Sequence, residues 1–390
     1  MLGPTLLARR ASAAWVRDGP TILRRLSTAP LDDAPPVIDM AQSDARVRDQ
    51  VACACANHGF FQVVNHGIES ELLARFRAQM VAFFDLPMPT KRELKRSGSN
   101  ARGFFDDELT KQRRDWKQAL DFGVPGSRDW SLPDDAAENA CLDGFNRFPR
   151  AEDVPGFRRD MVRYFEAATA LSEVLAARMA EGLGMEPSYF DRLLHTTHTS
   201  YLRLNYYPPC QEAGPPPPLG ISPHKDAGFL TVLEQDVDCH SLQVVRRGAD
   251  PSSEAAWATV VPVEGALTIN TGDMAQIWSN GRYHAPLHRV LTHGSARRHS
   301  APFFYNPGYG TQVAPLPSLG APTFEACNWG YFRAQRFAGD FADFGTEIQA
   351  SDYECDSGSP HLVRQAHFLE RADFALPFSV ERYRPLLQMP

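Results

Sequence analysis

The sequence predicts an α+β fold, in which a helical N-terminal region precedes a sandwich, jelly roll or barrel of short strands with flanking helices. Three observations predict it. Apolar residues recur at helical spacing over roughly 43–59, 72–84 and 156–181. From Leu202 to about Tyr305, short β-type runs alternate with turn signals such as "SNG" at 279–281 and "HGS" at 293–295. No helical pattern separates those runs and the chain holds no internal repeat, which points to an all-β core.

The first thirty residues stand apart. "MLGPTLLARRASAAWVRDGPTILRRLSTAP" holds five arginines, one acid and no lysine. That is the composition of an organellar transit peptide, and mitochondrial import is the first expectation. Plastid import or a disordered tail of no consequence are the alternatives, and residues 1–31 are set aside from the fold.

Folded protein is expected from "PPVIDM", a short apolar run that suits a strand. In "SDARVRDQVACACANHG", Ser43 and Asp44 offer N-caps, Val47, Val51 and Cys55 share a helical face, and Gly59 closes the end. "FFQVV" at 60–64 reads as the next strand. Leu72, Leu73, Phe76, Met80, Phe83 and Phe84 mark a second helix that must stop before Pro87. Residues 91–153 are polar and broken by Gly and Pro, and no element can be assigned to them. A long helix follows at about 156–181, with Phe157, Met161, Phe165, Leu171, Leu175 and Met179 on one face and Gly182 and Gly184 at its end. "GPPPPLG" at 214–220 is a stiff loop, and "WGYFRAQRFAGDFADFGTEIQ" at 329–349 is expected to be helical.

Bulk composition excludes several function classes. Of 390 residues, 43% are hydrophobic, enough for one large core or two modest ones. The net charge of -7 is spread without a basic block, so nucleic acid has no electrostatic footprint and a small-molecule substrate is expected. No apolar run approaches the roughly 18 to 20 residues that cross a bilayer. The seven cysteines are odd in number and include no C-x-x-C pair, which suits free thiols in a reducing compartment.

Chemistry concentrates in "ISPHKDAGFLTVLEQD" at 221–236. If a strand begins at "HKD", His224 and Asp226 lie on one face, about 6 to 7 Å apart along the backbone. A metal held there needs a third ligand from elsewhere, and His288 in "YHAPLHRVLTH" is the best candidate. Two histidines and one carboxylate leave three positions open, an arrangement that suits non-haem Fe(II) taking O2 and an organic ligand together. Taken singly, each residue has a plainer reading, because twelve histidines make an H-x-D pair unremarkable. The other histidines, including nearby His284, are left as non-ligands.

A second cluster adds weight to the first. In "RRHSAPFFYNP", strand alternation puts Arg298, Ser300, Pro302 and Phe304 on one face. The arginine fork and the hydroxyl form a bidentate seat for a carboxylate. In "YLRLNYYPPC", Arg203, Asn205 and Tyr207 share a face, and Tyr207 can donate to the same carboxylate.

The pieces "PVIDM", "HGFFQVVNHGI", "LRLNYYPPC", "PHKDAGFLTVL", "INTGDMAQIWSNGRYHAPLHRV" and "RHSAPFFYNP" together resemble the isopenicillin N synthase-like branch of the Fe(II)/2-oxoglutarate-dependent oxygenases, over most of residues 35–315. The resemblance implies a double-stranded β-helix (jelly-roll barrel) core behind an N-terminal helical region. It implies that His224, Asp226 and His288 hold Fe(II). It further implies that Arg298 and Ser300 hold the far carboxylate of 2-oxoglutarate, helped by Tyr207 and Asn205. Reaction with O2 would then give succinate, CO2 and a hydroxylated, desaturated or ring-closed small molecule. The family's habit is monomeric. The implied division is a tail at 1–31, an N-terminal dioxygenase region at 32–150, a long helix and core at 151–315 and a helical extension at 316–390.

One departure is the long interval from Asp226 to His288, whose excess falls in "RRGADPSSEAAW" and reads as an enlarged hairpin loop. Two rival readings keep parts of the picture. An iron oxidase of the same fold would use Arg298 and Ser300 to hold a substrate carboxylate and need no 2-oxoglutarate. A non-enzymatic jelly roll would carry structural zinc, although such sites are usually closed by four ligands with cysteine prominent, and none neighbours this triad. For the substrate, Phe304 is expected to face the site, with Arg102 and Phe104 of "ARGFFDDELTK" as lid residues or plain core. Hydrophobic walls would suit an aromatic or terpenoid molecule.

Overall fold

The computed structural model describes residues 34–110, 113–124, 140–141, 144–194, 198–211, 218–341, 347–376 and 379–388. The transit-peptide reading of residues 1–31 and most of the proline patch lie outside the described residues.

Strand β1 (Val37–Asp39) leads into helix α1 (Asp44–Asn57), with Ser43 at the N-cap position and Val47, Val51 and Cys55 buried. The helix ends where Gly59 adopts φ +66°. Any side chain there would be strained and would collide with the backbone carbonyl of His284, so this turn ties α1 to the segment that precedes His288. Strand β2 (Phe60–Val64) and helix α2 (Ser70–Phe84) follow at the predicted places.

The stretch that defeated assignment supplies β3 (Gly103–Phe105) and β4 (Gln118–Gly123), with the short hairpin Leu109–Thr110/Arg113–Arg114 between them. Part of its charge lies inside the protein: Arg102, Glu108, Asp115, Lys117 and Asp121 are all buried. A strand that carries internal ion pairs has no apolar alternation to read.

Helix α3 (Phe157–Gly182) packs along α2, with Tyr164 stacked on Phe76 at 3.8 Å and Phe157 against Phe83. The remaining strands are β5 (Tyr201–Tyr207), β6 (Leu219–His224), β7 (Leu230–Gln235), β8 (Leu242–Val245), β9 (Trp257–Thr259) and β10 (Leu267–Thr271). A short helix α4 (Asp273–Trp278) then precedes β11 (His288–Leu291) and β12 (Arg298–Tyr305). Helix α4 corrects the expectation that no helix interrupts the strand region; six residues, nearly all buried, are too few to show a period.

Eight strands form the major sheet in the order β1-β2-β10-β7-β12-β5-β4-β3, and four form the minor sheet, β6-β11-β8-β9. The pairings are antiparallel except that of β1 with β2. Facing sheets of this kind make the double-stranded β-helix. The N-terminal region is therefore not only helical, since it supplies both edges of the major sheet. Residues 246–256 form the enlarged loop of the β8–β9 hairpin, as expected, and Glu254 in it pairs with Arg289 of β11. After the barrel, helix α5 (Trp329–Phe341) occupies the first part of the expected helical stretch. Two further helices, His361–Leu369 and Val380–Leu387, pack behind it through Phe368 and Tyr383.

Candidate active site

His224 ends β6 and His288 opens β11, and the two are register partners in the minor sheet with ring centroids 4.2 Å apart. Asp226 does not continue the strand. This corrects the expectation that a strand begins at "HKD": β6 stops at His224, and Asp226 sits in the loop to β7. Its carbonyl accepts from Asp273 N at 2.8 Å, which pins the loop to the start of α4. Gly272 and Gly228 permit that crossing, since a Cβ on Gly272 would collide with the Gly228 carbonyl. The bend, not strand alternation, brings the carboxylate round.

The result is convergent. Asp226 Oδ1 lies 3.7 Å from both His224 Nε2 and His288 Nε2. Those separations are too long for hydrogen bonds and suit three ligands of one ion at about 2.1 Å from each. The two Nδ1 atoms point at the carbonyls of Ser222 (2.9 Å) and Pro286 (3.2 Å), so each ring donates there and leaves Nε2 bare for a metal. Burial beside His288 pushes the His224 imidazole down to about 3, which keeps it neutral. Burial opposes ionisation of Asp226, but the two imidazoles and hydrogen bonds from Asn270 and Thr231 hold its carboxyl below the usual range. Among the described residues these three are the one His/Cys/Asp/Glu group able to hold a metal.

Across the cavity, Arg298, Ser300, Pro302 and Phe304 line the wall from β12, and Tyr201, Arg203, Asn205 and Tyr207 line it from β5, as alternation predicts. Arg298 is 2% exposed. Its Nη2 donates to Gln235 Oε1 at 2.8 Å and its Nη1 to Ser300 Oγ at 3.3 Å, beside the Tyr207 ring at 5.0 Å. The buried Nε of Arg298 and Oδ1 of Asn205 have no hydrogen-bond partner among the described residues. A charged donor so placed fits a carboxylate ligand, as 2-oxoglutarate would present.

The rest of the wall is charged at one side and aromatic at the other, around about 1090 Å³ of empty space counted out to the open mouth. Arg203 is forked on Asp121 (2.8 Å twice) and also donates to Glu108 at 2.9 and 3.0 Å. Lys117 bridges Glu108 at 2.5 Å and Asp115 at 3.0 Å. Burial works against the Glu108 carboxylate, yet Arg203, Lys117 and Arg96 together hold its pKa far below the ordinary value. Phe304 faces the cavity as expected, stacked on Tyr201 at 4.5 Å.

Two expected lid residues do not line it. Phe104 is core, 6.3 Å from Phe83, because β3 pairs it with Leu120 and turns it toward the helices. Arg102 is buried behind the wall, its guanidinium 4.9 Å over the Tyr201 ring. Sequence reading missed Thr231, Gln235, Asn270 and Lys117, together with Trp329, Arg333 and Arg336 of α5. The alternation Thr231, Leu233, Gln235 within "TVLEQ" carried a signal for the first two; α5 carried only a helical one.

Two family models match the chain in order: the non-haem dioxygenase in morphine synthesis N-terminal region over residues 35–151, and the 2OG-Fe(II) oxygenase superfamily over residues 198–307. Gibberellin 20 oxidase 2 of Oryza sativa subsp. japonica is 34% identical over 308 residues, 77% of this chain and 74% of that protein. Gibberellin 2-beta-dioxygenase 8 of Arabidopsis thaliana is 30% identical over 321 residues, 82% of this chain and 85% of its own. Among solved structures, JOX2 in complex with 2OG, Fe and JA superposes with a TM-score of 0.64 at 26% identity, covering 80% of this chain and 91% of that one. The dioxygenase for auxin oxidation in rice superposes with a TM-score of 0.58 at 26% identity, over 78% of this chain and 95% of its own. The chain belongs to the 2OG-Fe(II) oxygenase superfamily, and it is an Fe(II)- and 2-oxoglutarate-dependent dioxygenase that oxidises a small molecule with O2.

Proposed function

We propose that His224, Asp226 and His288 hold the Fe(II) and that Arg298 and Ser300, with Tyr207 and Asn205 beside them, seat the distal carboxylate of 2-oxoglutarate. One observation carries this reading: three ligand atoms within 4.8 Å of one another open onto the same cavity as a buried arginine forked toward its interior. When bound, the iron and 2-oxoglutarate supply O2 activation coupled to loss of CO2, with succinate and an oxidised substrate as products. The protein's own work is positional. Ser222 and Pro286 carbonyls fix the histidine tautomers, and Asn270 and Thr231 occupy one oxygen of Asp226 so that the other faces the histidines. Phe304, Tyr201 and Trp329 give the substrate an apolar surface that sheds water on binding.

The test is anaerobic addition of Fe(II) and then 2-oxoglutarate to the protein, with the visible spectrum recorded. A weak charge-transfer band, lost in Arg298→Ala, is expected. Bound iron without a band, or turnover without stoichiometric succinate, would favour an oxidase that grips a substrate carboxylate with Arg298.

The protein acts as a monomer on a soluble small molecule, without nucleic acid; no described helix is long and apolar enough to cross a membrane. The arginine-rich composition of residues 1–31 supports import into mitochondria. A fluorescent fusion to the full chain, compared with one lacking those residues, tests it; identical distributions would reject import.

A further inference from the structure

We propose that Arg336 is a positioning residue of the metal centre: from helix α5 it fixes the backbone between His224 and Asp226, and so sets the angle at which Asp226 meets the two histidines. The inference rests on the metal ligands proposed above. It adds a residue from the C-terminal extension, beyond both matched family regions.

Residues 225–228 lie between β6 and β7, where no strand ladder holds the chain. Their carbonyls are held by two other elements. The start of α4 takes two of them: Asp273 N donates to the Asp226 carbonyl at 2.8 Å and Met274 N to the Gly228 carbonyl at 3.0 Å. The Lys225 carbonyl, which stands between the two ligand residues, accepts from Arg336 Nη2 at 3.3 Å. The same nitrogen donates to Asp273 Oδ2 at 3.1 Å. One guanidinium thus ties the ligand loop to the helix that pins it.

This contact acts on the carboxylate through the main chain. The Lys225 carbonyl belongs to the peptide that carries Asp226, and because that unit is planar, holding its oxygen fixes the plane from which Asp226 projects. Asp226 reaches the histidines by a bend, with Oδ1 3.7 Å from each Nε2, so a small rotation of this peptide would carry the oxygen off the shared point. Thr231 and Asn270 hold the far end of the side chain, and Arg336 holds its root.

Arg336 is built into this place. Its side chain is 10% exposed and that of Asp273 is fully buried. Asp273 Oδ1 has no hydrogen-bond partner among the described residues, and Arg336 is the ion-pair partner that balances this buried carboxylate. On its other side Arg336 pairs with Glu347. It shares a helical face with Trp329 and Arg333, at spacings of four and three, and all of them line the cavity. A single helix therefore presents part of the substrate wall and supports the metal loop.

The experiment is a calorimetric titration of the full chain and its variants with Mn(II), a redox-stable neighbour of Fe(II) in the divalent series, with urea midpoints measured in parallel. Arg336→Met is expected to weaken Mn(II) binding by about 10- to 100-fold, as loss of a support outside the ligand set does. Glu347→Gln, which leaves Arg336 its bonds to Asp273 and Lys225, is expected to keep the affinity of the unmodified protein. Unchanged affinity in folded Arg336→Met would overturn the proposal, and a lowered urea midpoint beside it would assign Arg336 to stability alone. An equal loss in Glu347→Gln would also overturn it, by tracing the effect to packing of the C-terminal segment. Absence of Mn(II) binding in the unmodified protein would overturn the ligand assignment and this inference with it. If Arg336→Met does not fold, Arg336→Lys is read instead, since it keeps a charge beside Asp273 but loses the fork. Weakened Mn(II) binding in that variant supports the role, and undiminished binding rejects it.

Discussion

Thr231 and Asn270 face each other across β7 and β10, and both donate to the same oxygen of Asp226, at 2.6 and 2.7 Å. Oδ2 is thereby satisfied by protein and Oδ1 is left toward the two histidines. Loss of either donor lets the carboxylate rotate. Asn270→Ala and Thr231→Val should each weaken Fe(II) or Mn(II) binding by about 10- to 100-fold, with Thr231→Ser close to the unmodified protein. Calorimetric titration of the metal measures it, and unaltered affinity in both variants would remove these residues from the account.

Arg298 forms its fork between Gln235 and Ser300, and the predicted loss on removing it is selective. Arg298→Ala should raise the KM for 2-oxoglutarate by roughly 100-fold through loss of a charge-assisted pair, with metal affinity nearly unchanged. Arg298→Lys should recover only part, because a point charge cannot reproduce the fork. Equal losses in metal and co-substrate binding would mean that the arginine supports the barrel instead.

The buried charges at Arg203 make a different prediction, one of stability. Asp121→Asn leaves a guanidinium without half of its fork in a dry interior, at a cost of about 3 to 5 kcal/mol. Urea unfolding should show it as a lowered midpoint at unchanged slope. A loss below about 1 kcal/mol would indicate that water reaches the cluster.

Glu234 gives stability a pH dependence. Burial raises its carboxyl to about 7 despite the pairing with Arg77 and the nearby Arg298, while Asp236 acts in the same direction as burial. Below the ordinary value of 4.5 the group is protonated whether the chain is folded or not. As pH rises from there through 7 the unfolded chain releases its proton first, so the folded state is progressively penalised, by a few kcal/mol at most. Glu234→Gln should flatten the decline in denaturant midpoints between about pH 5 and 8; an unchanged slope would assign it to other groups.

The parts of the site written in strand alternation were legible. Arg298, Ser300 and Phe304 on β12, and Asn205 and Tyr207 on β5, stand where a period of two puts them. Asp226 was identified for a reason that proved incomplete, since its carboxylate reaches the histidines through a bend pinned at Asp273. What remained hidden was set by contacts between distant segments. Nothing local to "ELTKQRRDWK" says that Glu108 and Lys117 will be buried against Arg203, and nothing in the α5 text says which cavity its polar face will close.

The strand arrangement also fixes when this protein can fold. Strand β12 lies between β7 and β5, inside the major sheet, yet it is the last of the barrel strands along the chain. Gln62 finds its partner in Thr268, about two hundred residues later. A ribosome that has not yet reached β12 holds edge strands with no centre to join, and chains dominated by such distant pairings fold slowly. The barrel cannot close before Tyr305 has emerged, and until then the apolar "FFQVV" strand must be shielded by other means.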